Sequence, residues 1–295
     1  MPPRFARLLI ASLVLASAAL AHAASADVQA VQYPAWLERN GQKTPLSPGD
    51  GLRGGDIVLG GDANSRILLG MADGAQIKLG GNSRFTIEKL NIQTRAGNTT
   101  VDAAFKLAEG FFRYSSSVLG KLSGKRNIDL TVRTATIGIR GTDYWAMSDV
   151  EHDAVCVFDG KVEVATQDQG MISLDQPTAF WARFFDKPAA PAGNATPGQL
   201  ARFIASVEPE PGNGVAIVNG RWRVLAAELN KQVEARELAA RLRATGYPAE
   251  VAKRYGKHEV RINFFATRAD AEAALKRLGA QSGLSGEGAK VVAVR

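Results

Sequence analysis

The 295-residue chain is 45% apolar and 22% charged, ordinary for globular protein, and carries a formal charge of +7. A single cysteine excludes a disulfide framework, and only His152 and His258 lie beyond the first 23 residues, too few and too far apart for a His-rich metal site. The charge is confined: residues 219–295 hold 15 Lys and Arg against 8 Asp and Glu, an excess of +7 that accounts for the whole chain.

At the start, Arg4 and Arg7 precede an apolar run from Leu8 to Leu20 that ends in Ala21-His22-Ala23, a small-x-small cleavage pattern. Residues 1–23 read as a cleaved secretory signal peptide. The run falls short of the roughly 18 apolar residues of a spanning helix, so a retained anchor is the weaker reading. No cysteine follows the cleavage site to be acylated. The protein is expected in the periplasm with no spanning helix after signal cleavage, which removes nucleic acid as a partner.

Residues 27–186 lack helical periodicity but repeat at ten. Ile57, Ile67, Ile77 and Ile87 hold equivalent places, Leu59, Leu69 and Leu79 follow two residues on, and Gly60, Gly70 and Gly80 close the units. Apolar residues at i and i+2 share one face of a strand, so short strands with both Ile and Leu inward are expected to stack as a solenoid, roll or sandwich. Further strands are expected at Phe105–Leu107, Gly110–Tyr114, Ile128–Arg133, Thr142–Met147, Ala154–Phe158 and Lys161–Ala165.

Between Asp50 and Val164 the motifs Ala72-Asp73-Gly74-Ala75, Arg133 to Asp143 (RTATIGIRGTD) and Asp159-Gly160-Lys161-Val162-Glu163-Val164 resemble the FecR domain. The resemblance implies an all-β periplasmic scaffold or interaction domain. The family's relay to a cytoplasmic sigma factor needs a spanning helix and a cytoplasmic segment, and neither is read in this chain. Within the motif, Gly138 and Gly141 permit a close-packed backbone, and Arg140 offers a planar fork of donors. Arg140, Gly141 and Thr142 are read as a structural motif in which Arg140 pairs with Asp143 or Asp73 and pins strand register, with ligand binding as the competing role.

Residues 187–218 contain Pro188, Pro191, Pro197, Pro209 and Pro211 among Gly and Ala, a linker expected to be a semi-extended tether. Leu200, Phe203, Ile204 and Val207 have helical spacing, so a short amphipathic turn that docks on the first domain is conceivable there.

Residues 219–295 read as strand, helix, strand, strand, helix, strand. Trp222, Val224 and Ala226 alternate with Arg223 and Leu225. Asn230 is placed to cap a helix striped by Ala235, Leu238, Ala239 and Leu242 and closed by Gly246. Ala249–Arg254 and Glu259–Phe264 form a hairpin around Gly256 with Val251, Val260 and Ile262 inward. Thr267 and Asp270 make a capping box for a helix expected to end at Gly279, and Lys290–Val294 is a last strand. Two helices on one face of a four-stranded antiparallel sheet leave the other face open.

From Trp222 to Leu278 this order, with Gly246-Tyr247-Pro248-Ala249 and Val260-Arg261-Ile262, resembles the SPOR domain. The resemblance implies binding of peptidoglycan glycan strands stripped of stem peptides, which accumulate at the division septum. The chain departs from the family at Leu225, where glutamine is usual, and at Asn263-Phe264-Phe265, where Gly-Pro-Phe is usual. Candidate peptidoglycan-binding residues on the open face are Arg223, Leu225, Arg261 and Asn263, with Tyr255 at the hairpin edge; simple surface residues are the bland alternative.

Catalysis finds little support. His152 and Cys156 stand four apart on one strand, where a thiol is usually filler, and Asp149, Glu151 and Asp153 read as a solvated loop. Trp181, Phe184 and Phe185 read as a cap on the stack, with an exposed protein-binding patch as the alternative; Trp222, Phe264 and Phe265 read mostly as core. No catalytic residue, metal or cofactor is expected. The reading is a non-enzymatic periplasmic adaptor held on peptidoglycan by its C-terminal domain; the alternative is a periplasmic sensor or assembly scaffold that meets a periplasmic or outer-membrane protein through its first domain.

Overall fold

The structure, a computed structural model, describes residues 25–95, 97–116, 125–282 and 288–294, and the side chain of Arg140 is not among what it describes. The predicted signal peptide, residues 1–23, lies outside the described residues.

The N-terminal body opens with β1 (Ala26–Gln32), β2 (Ala35–Arg39), β3 (Gln42–Pro45), β4 (Gly51–Leu52), β5 (Ile57–Gly60), β6 (Arg66–Met71) and β7 (Gln76–Leu79). Longer strands follow: β8 (Arg84–Arg95), β9 (Asn98–Ser115), β10 (Arg126–Thr131), β11 (Ala135–Ser148) and β12 (His152–Thr166). It closes with β13 (Gly170–Leu174), β14 (Ala179–Phe184) and β15 (Gly193–Asn194). One ladder runs β3-β2-β5-β8-β9 and on through β10, β11 and β12 to β13. The other runs β1-β6-β7-β9-β11-β12-β14-β15. Among the described strands, β9 and β10 alone pair in parallel. The two ladders close on one core in which Phe85 meets Phe105 and Phe112, and Phe112 meets Tyr144.

Because β9, β11 and β12 contribute to both ladders, each must turn a corner. Each does so at a glycine with positive φ: Gly110 (99°), Gly141 (61°) and Gly160 (84°). A Cβ on Gly110 would lie 2.5 Å from Cα of Ser83, and one on Gly160 would lie 2.9 Å from the Gly141 carbonyl oxygen. The segments predicted as separate short strands, Phe105–Leu107 with Gly110–Tyr114 and Ala154–Phe158 with Lys161–Ala165, are therefore halves of single bent strands. Glycines read as breaks are bends.

The ten-residue units do not stack in one series: the second and third pair with each other, but the first and fourth lie in the other ladder. β6 and β7 pair in the second ladder, with β6 also against β1, whereas β5 and β8 pair in the first, where β5 also meets β2, so the units fall in the order first, second, second, first ladder. Ile67, Ile77 and Ile87 are buried, but in β5 it is Val58 that faces the core, while Ile57 and Leu59 are only half-buried. The phase of β5 slips by one residue, which a count of spacings cannot register.

The segment expected as a tether is packed. α1 (Pro197–Ala205) starts with a capping box between Thr196 and Gln199 and lies over the outer side of the second ladder. Phe203 stacks on Trp145 at 4.0 Å between ring centroids, and Trp145 Nε1 donates to Ser206 Oγ at 3.0 Å. Beneath lies a second apolar cluster built on Trp145, Met147, Cys156 and Val207. Glu208 then accepts from Lys78 Nζ (2.5 Å) and Arg113 Nη1 (3.1 Å). The apolar spacing at Leu200 and Phe203 outweighs the prolines: Pro197 occupies the first turn, where its missing N–H costs nothing, and the others lie outside the helix.

The C-terminal body comprises β16 (Val215–Ile217), β17 (Trp222–Leu229), α2 (Gln232–Ala244), β18 (Glu250–Arg254), β19 (Lys257–Phe265), α3 (Arg268–Ser282) and β20 (Lys290–Ala293). Its antiparallel sheet has the order β18-β19-β17-β20. Val224, Ala226, Val260 and Ile262 meet Leu238, Leu242, Ala274 and Leu278 from the two helices. Two details differ from expectation. Lys231, not Asn230, precedes α2 and makes no side-chain cap, and α3 runs through Gly279 to Ser282. Phe265 is buried, while Phe264, at positive φ, is 40% exposed.

The two bodies share one core. β16 pairs with β1 (Val31 opposite Ala216) and also bridges to β19 (Ala216 opposite Phe265). The buried Tyr33 ring lies 5.2 Å from Tyr247 and 6.2 Å from Phe265. The Ala35 N–H donates to the Gly246 carbonyl oxygen at 3.3 Å, and a Cβ on Gly246 would stand 2.8 Å from Pro34 Cβ and Trp36 Cζ2. Asp270 ties the connection: Oδ1 accepts from the N–H groups of Gly212, Gly214 and Val215, and Oδ2 from Thr267 in the predicted capping box.

Candidate functional site

On the sheet face away from α2 and α3, cross-strand register sets Leu225 between Arg261 and Lys290, and Arg223 opposite Val292. Arg223, Leu225, Glu228, Arg254, Glu259, Arg261, Lys290 and Val292 line a groove of about 660 Å³. Four cations there face two acids. A larger groove of about 870 Å³ crosses the outer side of the first ladder, but its Lys89, Lys125 and Arg126 are balanced by Asp102, Asp129 and Glu163. Of these two grooves, the C-terminal one carries the excess of positive charge.

Three of the groove's cations already have an acid. Arg261 Nε lies 3.3 Å from Glu250 Oε1, Lys290 Nζ 3.2 Å from Glu228 Oε1, and Arg254 Nη1 3.9 Å from Glu259 Oε1. Arg223 differs: its Nε is buried and has no hydrogen-bond partner among the described residues. Burial lowers its pKa first, and repulsion from Arg261 and Arg254 adds to that against the pull of Glu259 and Glu250. An anion arriving here would counter the repulsion and supply the missing acceptor.

The five predicted residues do not stand alike. Arg223 and Arg261 line the groove together. Leu225 is on the same face but only 4% exposed, so it forms a floor between the stems of Arg261 and Lys290 and offers a ligand little surface. Asn263 Nδ2 donates to Glu250, the acid that also holds Arg261, and its Oδ1 is buried without a hydrogen-bond partner among the described residues. Tyr255 is 93% exposed at the tip of the β18–β19 hairpin, with the Arg254 guanidinium 5.2 Å from its ring centre. Sequence reasoning missed Arg254, Glu259 and Lys290. Period-two alternation, applied to the hairpin and the last strand as it was to β17, would have placed them on this face.

The other motif residues build structure. Arg140 pairs with Lys161 by backbone register, and its side chain is outside the description. Of the two acids expected to pair with it, Asp143 takes a bidentate contact from Arg113 at 2.9 Å and Asp73 lies 2.8 Å from Arg126; the expected pairing itself lies outside the described residues. Gly141 is the corner of β11. Thr142 is fully buried, and its Oγ1 donates to the Lys161 carbonyl at 2.7 Å, stapling the corners of β11 and β12. Gly138 has no neighbour within 3.7 Å of a would-be Cβ, so packing does not require it.

Cys156 lies in the second apolar cluster under α1, and burial pushes its thiol pKa up to about 12, the opposite of an activated nucleophile. His152 stacks on Phe184. Asp153, read as part of a solvated loop, is fully buried and accepts from the Thr134 N–H and Oγ1. Trp181 is core, whereas Phe184 is 38% exposed. No cluster of three or more His, Cys, Asp or Glu that could hold a metal occurs among the described residues, nor any helix long and apolar enough to cross a membrane.

The family described as SPOR domain matches residues 218–287, and that described as FecR protein matches residues 59–163. The chain joins a FecR domain to a C-terminal SPOR domain. SPOR domains bind peptidoglycan, FecR domains are sensory, and both are families of binding or regulatory domains rather than enzymes. The FecR match covers the middle of the N-terminal body; β1–β4 and β13–β15 complete its ladders outside it. Two crystal structures of a candidate anti-sigma factor from Parabacteroides distasonis ATCC 8503 overlap 80% and 76% of this chain and 97% and 91% of their own, at 14% and 13% identity. The TM-score is 0.38 for each, too low to bear on function. No curated protein matches the chain.

Proposed function

We propose that the protein is a non-enzymatic adaptor of the periplasm that holds to peptidoglycan through the SPOR groove and presents the FecR domain to a second partner. The arginine-bearing groove on the helix-free face of the SPOR sheet carries this reading. Arg223 and Arg261 supply directional donors, and Tyr255 with Arg254 supplies an exposed aromatic surface of the kind on which sugar rings stack. Glycan strands freed of stem peptides are the ligand the family resemblance implies, which directs the protein to the division septum.

The test is co-sedimentation of the whole chain with purified sacculi, intact and after amidase treatment, at low and moderate salt. Pelleting that rises after amidase, survives moderate salt and is lost on joint Arg261→Ala and Asn263→Ala substitution is the expected result. Absence of pelleting under all conditions overturns the reading. It would favour the second one, for which the FecR match speaks: a sensor or scaffold acting by protein contact, in which the same substitutions leave function intact.

A further inference from the structure

Resting on that reading, we propose that the groove recognises a carboxylate borne by the sugar chain, with Arg223 as its anchor, so that the protein selects acidic glycan over neutral glycan of the same backbone. The argument starts from an imbalance. Glu250, Glu228 and Glu259 are engaged by Arg261, Lys290 and Arg254, while Arg223 on the central strand β17 has no carboxylate within ion-pair distance among the described residues. A guanidinium N–H buried without an acceptor is a desolvated donor that an incoming acceptor satisfies. The planar fork of arginine fits a carboxylate through two parallel hydrogen bonds, which a neutral hydroxyl or acetamide cannot supply.

The chemistry of wall glycan provides such a group at regular intervals. Hydrolysis of the amide that joins a stem peptide to its lactyl sugar breaks the C–N bond; water supplies the oxygen, the lactyl carbon becomes a carboxylate, and the peptide leaves as an amine. Every second sugar of a stripped strand is then anionic. Leu225 forms a dry floor between Arg261 and Lys290, so a carboxylate beside Arg223 meets two further cations across about one strand spacing. Stripping a strand does two things at once: it removes bulk and creates the charge that Arg223 lacks.

The two effects separate in one experiment. Soluble stem-free glycan strands are used either native or with their carboxylates capped as methylamides, and affinities of the whole chain are compared for the unsubstituted protein, Arg223→Gln and Lys253→Gln. Lys253 is exposed on β18 and does not line the groove, so it controls for net charge. The unsubstituted protein should bind native strands at least tenfold more tightly than capped ones, about 1.4 kcal/mol. Arg223→Gln should weaken native strands most and bring the native-to-capped ratio down to near one, while Lys253→Gln keeps that ratio. As a check that does not depend on a variant, free N-acetylmuramic acid should compete and N-acetylglucosamine should not. Equal binding of native and capped strands, or competition by both sugars, overturns the carboxylate reading and leaves glycan binding standing. Binding to neither strand overturns glycan binding itself.

Discussion

Replacing Asp270 should loosen the joint between the two domains more than any other single exposed or buried acid. Its Oδ1 accepts from Gly212 N (2.7 Å), Gly214 N (3.1 Å) and Val215 N (3.0 Å), and its Oδ2 from Thr267 N (3.2 Å) and Oγ1 (2.6 Å), with no exposed surface. In Asp270→Ala the Thr267 groups and the partly exposed Gly212 N–H can turn to water, but the N–H groups of Gly214 and Val215 stay buried. Orphaning two buried donors and losing charge-assisted bonds at ~1–3 kcal/mol apiece gives a loss of about 4 kcal/mol. For a chain of this size that is a fall in Tm of roughly 8–16 °C. Asp270→Asn keeps one oxygen, enough for either the Gly212–Val215 loop or Thr267, and should lose about half as much. Urea unfolding followed by far-ultraviolet dichroism and by tryptophan fluorescence measures both. Because one core runs through both domains, the two signals should coincide in the parent protein and separate once the joint is loosened. An Asp270→Ala protein within about 1 kcal/mol of the parent would show that the carboxylate does not hold the joint.

Gly246→Ala combines a φ of 85° with a Cβ placed 2.8 Å from Pro34 and Trp36, so it should cost about 2–3 kcal/mol and raise proteolytic cleavage at the junction; an unchanged melting curve would contradict the close approach. Phe203→Ala uncovers Trp145 and should shift tryptophan emission to the red, with faster protease cutting between residues 187 and 212. Cys156 should ignore a disulfide reagent at pH 8 in the native protein and react fully in denaturant. Its native pKa, about 12, lies above the ordinary 9.0, so the unfolded thiol ionises first: this group's stabilisation is whole below about pH 9 and declines between 9 and 12. Cys156→Ser should remove that part of the alkaline slope.

Much of the SPOR domain was legible because its signals are local. Alternation from Trp222 to Ala226, the Thr267–Asp270 box and Gly246 after α2 are each set by residues within one turn or one strand. The groove was half legible for the same reason: Arg223 and Arg261 follow from alternation, whereas the burial of Leu225 depends on which side chains the neighbouring strands set beside it. In the FecR domain, composition and glycine spacing announced β structure but not its order. Gly110, Gly141 and Gly160 look identical to turn glycines until the partner strands are known, and the one-residue phase difference at Val58 is fixed by β2 and β8 rather than by its own decade. The joint was the least visible. Tyr33, Gly246 and Arg277 stand far apart in sequence, and nothing near any of them marks a partner on the other side.

That joint changes how the two domains can work together. A tether of about 30 residues would let the FecR domain search a volume around the wall, raising local concentration without fixing direction. Here β16 is laddered to β1 and bridged to β19, Arg277 Nη1 donates to the Tyr33 carbonyl at 3.2 Å, and α1 lies against the second ladder. A SPOR groove occupied by glycan therefore fixes the orientation as well as the position of the FecR sheets. The groove draws on Arg223, Arg254, Arg261 and Lys290, and the joint on Tyr33, Gly246, Asp270 and Arg277, so the two sets can be varied independently. Substitutions in the first set should abolish wall retention while the domains still unfold as one. Those in the second should leave glycan affinity in place but uncouple the unfolding of the two halves. Loss of function in the second class with wall retention intact would identify orientation, and not mere proximity, as what the fused architecture provides.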